Sequence, residues 1–265
     1  MRLSARFVDA PAGTGAGRAP LVLLHGFTQS GESWAPVVDA LAGRAGPLVL
    51  PDAPGHGGSA HIEADLWATA DLLAGLVAGP APWAGYSMGG RTALHVALAY
   101  PERVARLVLI STSAGIEDQA ARRARQAADD KLARRVEAEG VESFLNFWMA
   151  QALFATLSPE QAGHHARMLN TPAGLASSLR LAGQGAQEPL WSRLAELGQR
   201  ELPVLLLAGE QDSRYVDQAR RMAATIGPSA SVHVVAGAGH ACHLERPAEV
   251  AEVMVGFLGP GVAPY

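Results

Sequence analysis

Short, unbroken apolar runs punctuate the chain at nearly regular intervals, with amphipathic stretches between them. Leu21-Val22-Leu23-Leu24, Leu48-Val49-Leu50, residues 80–84, residues 104–110, Val204-Leu205-Leu206-Leu207 and residues 231–235 are apolar or nearly so. That pattern predicts strands buried on both faces of a parallel sheet. Between the runs, apolar side chains recur three or four positions apart, as at Trp34, Val37, Val38 and Leu41. This spacing predicts helices over 33–41, 66–77, 89–99, 216–226 and 247–258. Residues 3–8 alternate weakly, as an edge strand would, and the Gly/Ala/Pro-rich stretch 9–19 reads as a loop or hairpin tip. Strand alternating with helix predicts an α/β fold with a mostly parallel, doubly wound sheet.

The rhythm breaks once. From 113 to 200 there is no strand pattern, only helical ones over 118–139, 141–154, 159–169 and 175–181. An all-helical insertion after a sheet strand is most simply a cap over the carboxyl ends of the strands. The expected organisation is therefore a core of residues 1–112 and 201–265 with a helical cap at 113–200. Internal repeats and a dinucleotide-binding glycine pattern are both absent from the sequence.

Composition narrows the function classes. With 265 residues, 49% of them hydrophobic, the chain can bury a full core as one large α/β domain. A net charge of −4 and the lack of any basic run argue against a nucleic-acid partner. The single cysteine, Cys242, excludes a disulfide framework and a cysteine-based metal cluster, and a lone thiol is usually inert packing. No apolar run approaches a membrane span, and residues 1–8 lack the charged-then-apolar pattern of a secretion signal. The expectation is a soluble, cytoplasmic protein.

The chemistry concentrates at Gly85-Tyr86-Ser87-Met88-Gly89, a Gly-x-Ser-x-Gly pattern between a predicted strand and a predicted helix. A serine in a strained strand-to-helix turn needs neighbours without bulk two positions either side. The Met88 N–H then points toward the Ser87 oxygen, at the positive end of the helix. A serine hydroxyl is a poor nucleophile until an imidazole takes its proton, and the imidazole needs a carboxylate to set its tautomer. In this arrangement the acid and the histidine follow later strands in that order. Glu210 and Asp212 both follow the 204–207 strand; Asp212 is preferred, because Glu210 directly follows Gly209 and can still belong to the strand end. No carboxylate ends the 104–110 strand. Of nine histidines, His240 is the one placed in the turn directly after the last strand, in Gly237-Ala238-Gly239-His240. His95 sits within a helix, His164 and His165 fall in the cap without an obvious partner, and His243 lies past the turn. The loop His25-Gly26-Phe27-Thr28 ends the first buried strand, where α/β folds place ligands, and the Phe27 N–H is the expected second oxyanion donor beside that of Met88.

Along nearly its whole length the chain resembles the α/β-hydrolase superfamily. The motifs that carry this are Leu-His-Gly-Phe at 24–27, Asp-x-x-Gly-x-Gly-x-Ser at 52–59, the serine motif continued to Arg91, Gly-Glu-x-Asp at 209–212 and Gly-x-Gly-His at 237–240. A narrower resemblance, to the 2-succinyl-6-hydroxy-2,4-cyclohexadiene-1-carboxylate synthase family of menaquinone biosynthesis, rests on further residues. These are Gly115-Ile116-Glu117, Arg125 with Asp129-Asp130, Phe144-x-x-x-Trp148 with Phe154, Arg167-x-x-Asn170-x-x-x-Gly174-Leu175-Ala176, and Gly183-x-Gly185-x-Gln187-x-x-Leu190-Trp191. Two features depart from that family: amino-terminal strands that look shortened, and Ala152-Leu153 where Pro-Leu is expected before Phe154.

That resemblance implies a lyase acting on 2-succinyl-5-enolpyruvyl-6-hydroxy-3-cyclohexene-1-carboxylate, releasing pyruvate and the diene without metal or organic cofactor. Ser87 would act as base, with Phe27 and Met88 holding the enolate oxygen. Such a substrate carries three carboxylates, so fixed cations are expected around it. Arg91 lies one helical turn past Ser87, and Arg125 and Arg167 would converge from the cap as carboxylate clamps. Tyr86, Trp148, Phe154 and His25 complete the expected substrate-binding set. Most of the other cap arginines read as a solvated helix face.

Two alternatives stay open at this point. One is a serine hydrolase on the same scaffold, either a carboxylesterase or a carbon–carbon bond hydrolase, against which Arg91 is the best discriminator for a plain esterase. The other is non-enzymatic, a ligand receptor or scaffold that kept the fold.

Overall fold

The computed structural model describes residues 2–10 and 18–259. In chain order the elements are β1 (Ala5–Val8), β2 (Leu21–Leu24), α1 (Ala35–Leu41), β3 (Leu48–Pro51), α2 (Leu66–Ala74), β4 (Ala81–Tyr86), α3 (Met88–Ala99) and β5 (Val104–Ile110). The cap helices follow: α4 (Gln119–Met149), α5 (His164–Arg167) and α6 (Pro172–Ala182); α7 (Leu194–Gln199) comes next, with Leu194 and Leu197 buried in the same core layer as α3. The chain then returns through β6 (Val204–Gly209), α8 (Ser213–Ile226), β7 (Ala230–Val235), α9 (Cys242–Glu245) and α10 (Pro247–Leu258).

Among the described residues seven strands form one sheet in the order β1-β3-β2-β4-β5-β6-β7, with only β1 antiparallel. Register explains why the apolar runs are unbroken. Along β4 and β5, Trp83, Leu107 and Leu109 enter the layer under α2, α3 and α8, while Ala84, Tyr86, Val108 and Ile110 enter the layer under α1 and α10. Both faces are covered, so every second residue has a core to enter. Trp34 and Trp83 have no exposed surface at all. Among the described residues no helix is long and apolar enough to cross a membrane.

The cap has its own small core, in which Phe144, Leu145 and Trp148 of α4 meet Leu175 and Leu179 of α6. The expected division between helices over 118–139 and 141–154 is present as a break in α4, where Gly140 takes φ 81°, a left-handed conformation suited to glycine. The second half ends at Met149 and is followed by a single tight turn, Ala152–Phe154. The helix expected over 159–169 shrinks to His164–Arg167, because Gly163 turns left-handed at φ 63° and starts the helix late. Of the expected loop 9–19, residues 11–17 lie outside the described residues.

Candidate active site

β4 ends at Tyr86 and α3 begins at Met88, so Ser87 alone makes the turn, with φ 51° and ψ −107°. Gly85 and Gly89 are required by close approach. A Cβ on Gly85 would sit 2.2 Å from the Gly89 carbonyl oxygen, and one on Gly89 2.1 Å from that of Leu24. Both obstacles are backbone and cannot yield. The turn is held from the far side too, since Ser87 N–H donates to Ile110 O at 2.8 Å and Thr112 Oγ1 donates to Ser87 O at 2.8 Å.

Three strand ends bring the polar residues together. Ser87 Oγ lies 3.2 Å from His240 Nε2, and His240 Nδ1 lies 2.6 Å from Asp212 Oδ2. With Nδ1–H donated to the carboxylate, Nε2 is left to accept from the serine hydroxyl. Glu210 is turned elsewhere, its Oε2 accepting the Gly237 N–H at 2.9 Å. The loop carrying His240 is held by Glu245, whose Oε2 accepts the Gly239 N–H at 2.8 Å.

The loop after β2 has an equally specific geometry. The Gly26 carbonyl accepts from His25 Nδ1–H at 2.8 Å and from the Gln29 N–H at 3.1 Å. A trans peptide is planar, so these two bonds direct the Phe27 N–H of the same peptide away from His25 and Gln29. Among the described residues that N–H makes no hydrogen bond. Met88 is the first residue of α3, so its N–H has no partner within its own helix.

Between core and cap lies a cavity of about 320 Å³, lined by Phe27, Ser87, Met88 and His240 from the core and by Arg125, Trp148 and others from the cap. Arg91, Arg125 and Arg214 all face it. Arg91 is 5% exposed and donates to Gly183 O at 3.3 Å, and among the described residues no carboxylate lies within ion-pair distance of it. Burial brings its guanidinium down to about 10, which still leaves it charged at neutral pH. Arg125 differs, since its Nε donates to the buried Asp129 at 2.7 Å.

Four residues expected at the substrate are outside this lining. His25 is enclosed, with Nδ1 on Gly26 O and Nε2 accepting the Ala53 N–H at 2.9 Å, and burial lowers it to about 4. Tyr86 is 3% exposed, its ring 4.1 Å from that of His243 and 5.4 Å from that of His240. Phe154 stands behind the cavity, 5.9 Å from the Trp148 ring and 6.2 Å from the His240 ring. Arg167 is buried and spent on neutral oxygens, Ala162 O at 2.7 Å and the Thr28 hydroxyl. Spacing in the chain could not separate these four from the lining residues, because all lie on the right strand ends and cap helices.

The cavity also contains residues that pattern did not single out: Gln151, Ser178, Gln184, Arg214 and Tyr215. Arg214 had a usable signal, as it lies two positions after Asp212, in the first turn of α8.

A model of the alpha/beta hydrolase family matches residues 21–253. The chain belongs to that family. Over 267 aligned residues it is 32% identical to the 2-succinyl-6-hydroxy-2,4-cyclohexadiene-1-carboxylate synthase of Salmonella typhimurium strain LT2, covering 97% of this chain and 99% of the relative. The solved structure of MenH from S. aureus matches with a TM-score of 0.87 at 30% identity, covering 97% and 98% of the two chains. A thermophilic esterase from Thermogutta terrifontis matches with a TM-score of 0.77 at 28% identity, covering 97% and 93%. The seven-stranded, mostly parallel sheet with its helical cap is thus the α/β-hydrolase fold, and the resemblance read from the motifs extends over the whole of this family member.

Proposed function

We propose that this α/β-hydrolase-family protein is a carbon–oxygen lyase that eliminates pyruvate from 2-succinyl-5-enolpyruvyl-6-hydroxy-3-cyclohexene-1-carboxylate. The observation that carries this reading is Arg91: a buried guanidinium with no carboxylate partner among the described residues, facing the same cavity as Ser87 and His240. A buried charge is costly unless it is paired, so a cavity that keeps one unpaired is suited to an anionic ligand. Arg214 faces the same cavity, as does Arg125 beside its partner Asp129, a basic lining suited to a substrate of several carboxylates.

In this reading Ser87, its proton drawn to His240 Nε2, removes the ring hydrogen next to the succinyl carbonyl. The electron pair moves onto the carbonyl oxygen, where the N–H groups of Phe27 and Met88 receive the charge. Collapse of the enolate shifts the ring double bond and breaks the bond to the enolpyruvyl oxygen. The proton held on His240 is available to the departing fragment, which leaves as pyruvate. Asp212 keeps His240 in the tautomer that can accept from Ser87. The triad, both oxyanion donors and the arginine contacts are parts of this proposal. So are the core–cap division near 113 and 200 and a site within a soluble protein that takes small polycarboxylates.

The likeness to an esterase at 28% identity supports one second reading, hydrolysis of an ester through an acyl-Ser87. Pyruvate release measured beside p-nitrophenyl acetate hydrolysis separates the two, using the wild type, Ser87→Ala and Arg91→Ala. The lyase reading expects rapid pyruvate release that both substitutions abolish or cripple, with little esterase activity. Ester hydrolysis that survives Arg91→Ala, with pyruvate at the spontaneous rate, overturns it.

A further inference from the structure

We infer that Asn170, carried by the cap, is a positioning residue for the oxyanion loop of the core. The inference rests on the oxyanion role proposed above for the Phe27 N–H.

Thr28, the next residue, has φ 68°, a left-handed conformation that a β-branched side chain rarely takes, and it is fully buried. Such a conformation persists only where its surroundings over-determine it. Each polar group of Thr28 is held by a side chain distant in sequence. Its N–H donates to His56 Nε2 at 3.2 Å, its carbonyl accepts from Asn170 Nδ2 at 2.7 Å, and its hydroxyl accepts from Arg167. Two of these three partners belong to the cap.

Asn170 is the residue that joins them. Its Nδ2 donates to Thr28 O and to Arg167 O at 2.9 Å, and its Oδ1 accepts the Gly57 N–H at 3.0 Å. Both amide hydrogens and the carbonyl oxygen are therefore engaged, and only an amide supplies two donors and an acceptor in that shape. The side chain is 6% exposed and absent from the cavity lining, so it acts on the reaction through Thr28 and not by touching a ligand. Gly57 and His56 belong to the loop after β3, and that loop too is held to the cap by this one amide. If the cap is displaced, Thr28 loses two of its three partners, and the left-handed turn that brings the Gln29 N–H onto the Gly26 carbonyl, and so aims the Phe27 N–H, loses its support. The oxyanion hole is complete only with the cap seated.

The test compares Asn170→Asp and Asn170→Ala with Asn146→Asp, a control of equal charge change on the exposed face of α4. Asn170→Asp keeps the shape but turns carboxylate oxygen toward two carbonyls. Each variant is assayed for kcat and KM in whichever of pyruvate release and p-nitrophenyl acetate hydrolysis the wild type catalyses, and for phenylboronic acid affinity. The boronate needs no knowledge of the substrate. Ser87 Oγ adds to boron, its proton passes to His240, and a boron-bound oxygen of the tetrahedral anion takes the oxyanion position.

Both Asn170 variants are expected to lose about 10- to 100-fold in kcat, with KM within about threefold and boronate affinity falling in parallel, while Asn146→Asp matches the wild type. Wild-type kcat and boronate affinity in Asn170→Asp, or an effect confined to KM, overturns the inference. Should Asn170→Ala not fold, the near-isosteric Asp variant, checked by circular dichroism, carries the test. A wild type that releases no pyruvate counts against the lyase reading alone, because the boronate arm still reads the loop.

Discussion

Arg91 and Arg125 face one cavity, yet among the described residues only Arg125 has a carboxylate partner: its Nε lies 2.7 Å from Asp129, whose other oxygen accepts the Gly185 N–H at 3.0 Å. Arg91 meets only the Gly183 carbonyl. The two cations are thus held differently, one paired with a carboxylate of its own helix and one bonded to a neutral carbonyl.

Arg91→Ala is expected to lower kcat/KM for a polycarboxylate substrate by about 100-fold or more, since charged hydrogen bonds in a buried site are the strong ones, with no loss of stability. Arg125→Ala removes the partner of a buried carboxylate and should destabilise the fold by roughly 1–3 kcal/mol in urea unfolding. Asp129→Asn in the Arg125→Ala background should recover part of that loss. Equal stability of the two single arginine variants would contradict the distinction.

The elbow predicts a contrast among glycines. Gly89→Ala forces a Cβ to 2.1 Å from the Leu24 carbonyl oxygen, and is expected to abolish activity and to cost several kcal/mol in unfolding free energy, or to prevent folding. Gly256→Ala, in α10 with no atom within 4 Å of its Cβ, should stabilise by about 0.5–1 kcal/mol and leave activity unchanged. Thermal melts of the two variants check both signs.

Stability should fall on mild acidification. Burial lowers His25 and His95 to about 4, and His56 and His243 to about 3, well below the ordinary 6.5. Between those values and 6.5 the unfolded chain binds protons that the folded chain refuses, so stability is fully present above pH 6.5 and drains as pH falls toward 4. Each histidine contributes a slope of up to about 1.4 kcal/mol per pH unit. His95→Gln, packed against Trp67 and remote from Ser87, should remove close to one proton from that slope, read by urea unfolding at pH 7, 6 and 5. An unchanged slope would count against the burial argument.

Cys242 has no exposed surface, and burial pushes its thiol up to about 12. Thiolate is the reactive form, so the native protein should resist a disulfide reagent such as dithionitrobenzoate and react with one equivalent only when unfolded. Reaction of the native thiol at the rate of a free one would overturn this.

Much of the scaffold was legible because burial on two faces leaves an unmistakable mark. The strands at 21–24, 104–110 and 204–207 were placed from apolar runs alone, and the helix at 247–258 from its period. Short elements carry too few residues for a period to register, which is why α7 and α9, six and four residues long, were not foreseen. The helix over 159–169 was overdrawn because Gly163 looks permissive in sequence, and its left-handed φ is a property of the packed chain.

By itself, the sequence determined the order of strands and helices, the inserted helical segment, and the glycines that let Ser87 occupy a strained turn. Those follow from local periodicity and from the absence of side chains, which sequence records directly. Tertiary structure decided how Arg91 and Arg167 are used, whereas Arg125 meets Asp129 one turn along its own helix. Arg91, Arg125 and Arg167 are one residue type in similar helical contexts, yet one is unpaired at a cavity, one is neutralised by Asp129, and one is spent on Ala162 and Thr28. Gly183 lies 92 residues from Arg91 and Thr28 lies 139 from Arg167, and only the folded chain brings such partners within hydrogen-bond reach.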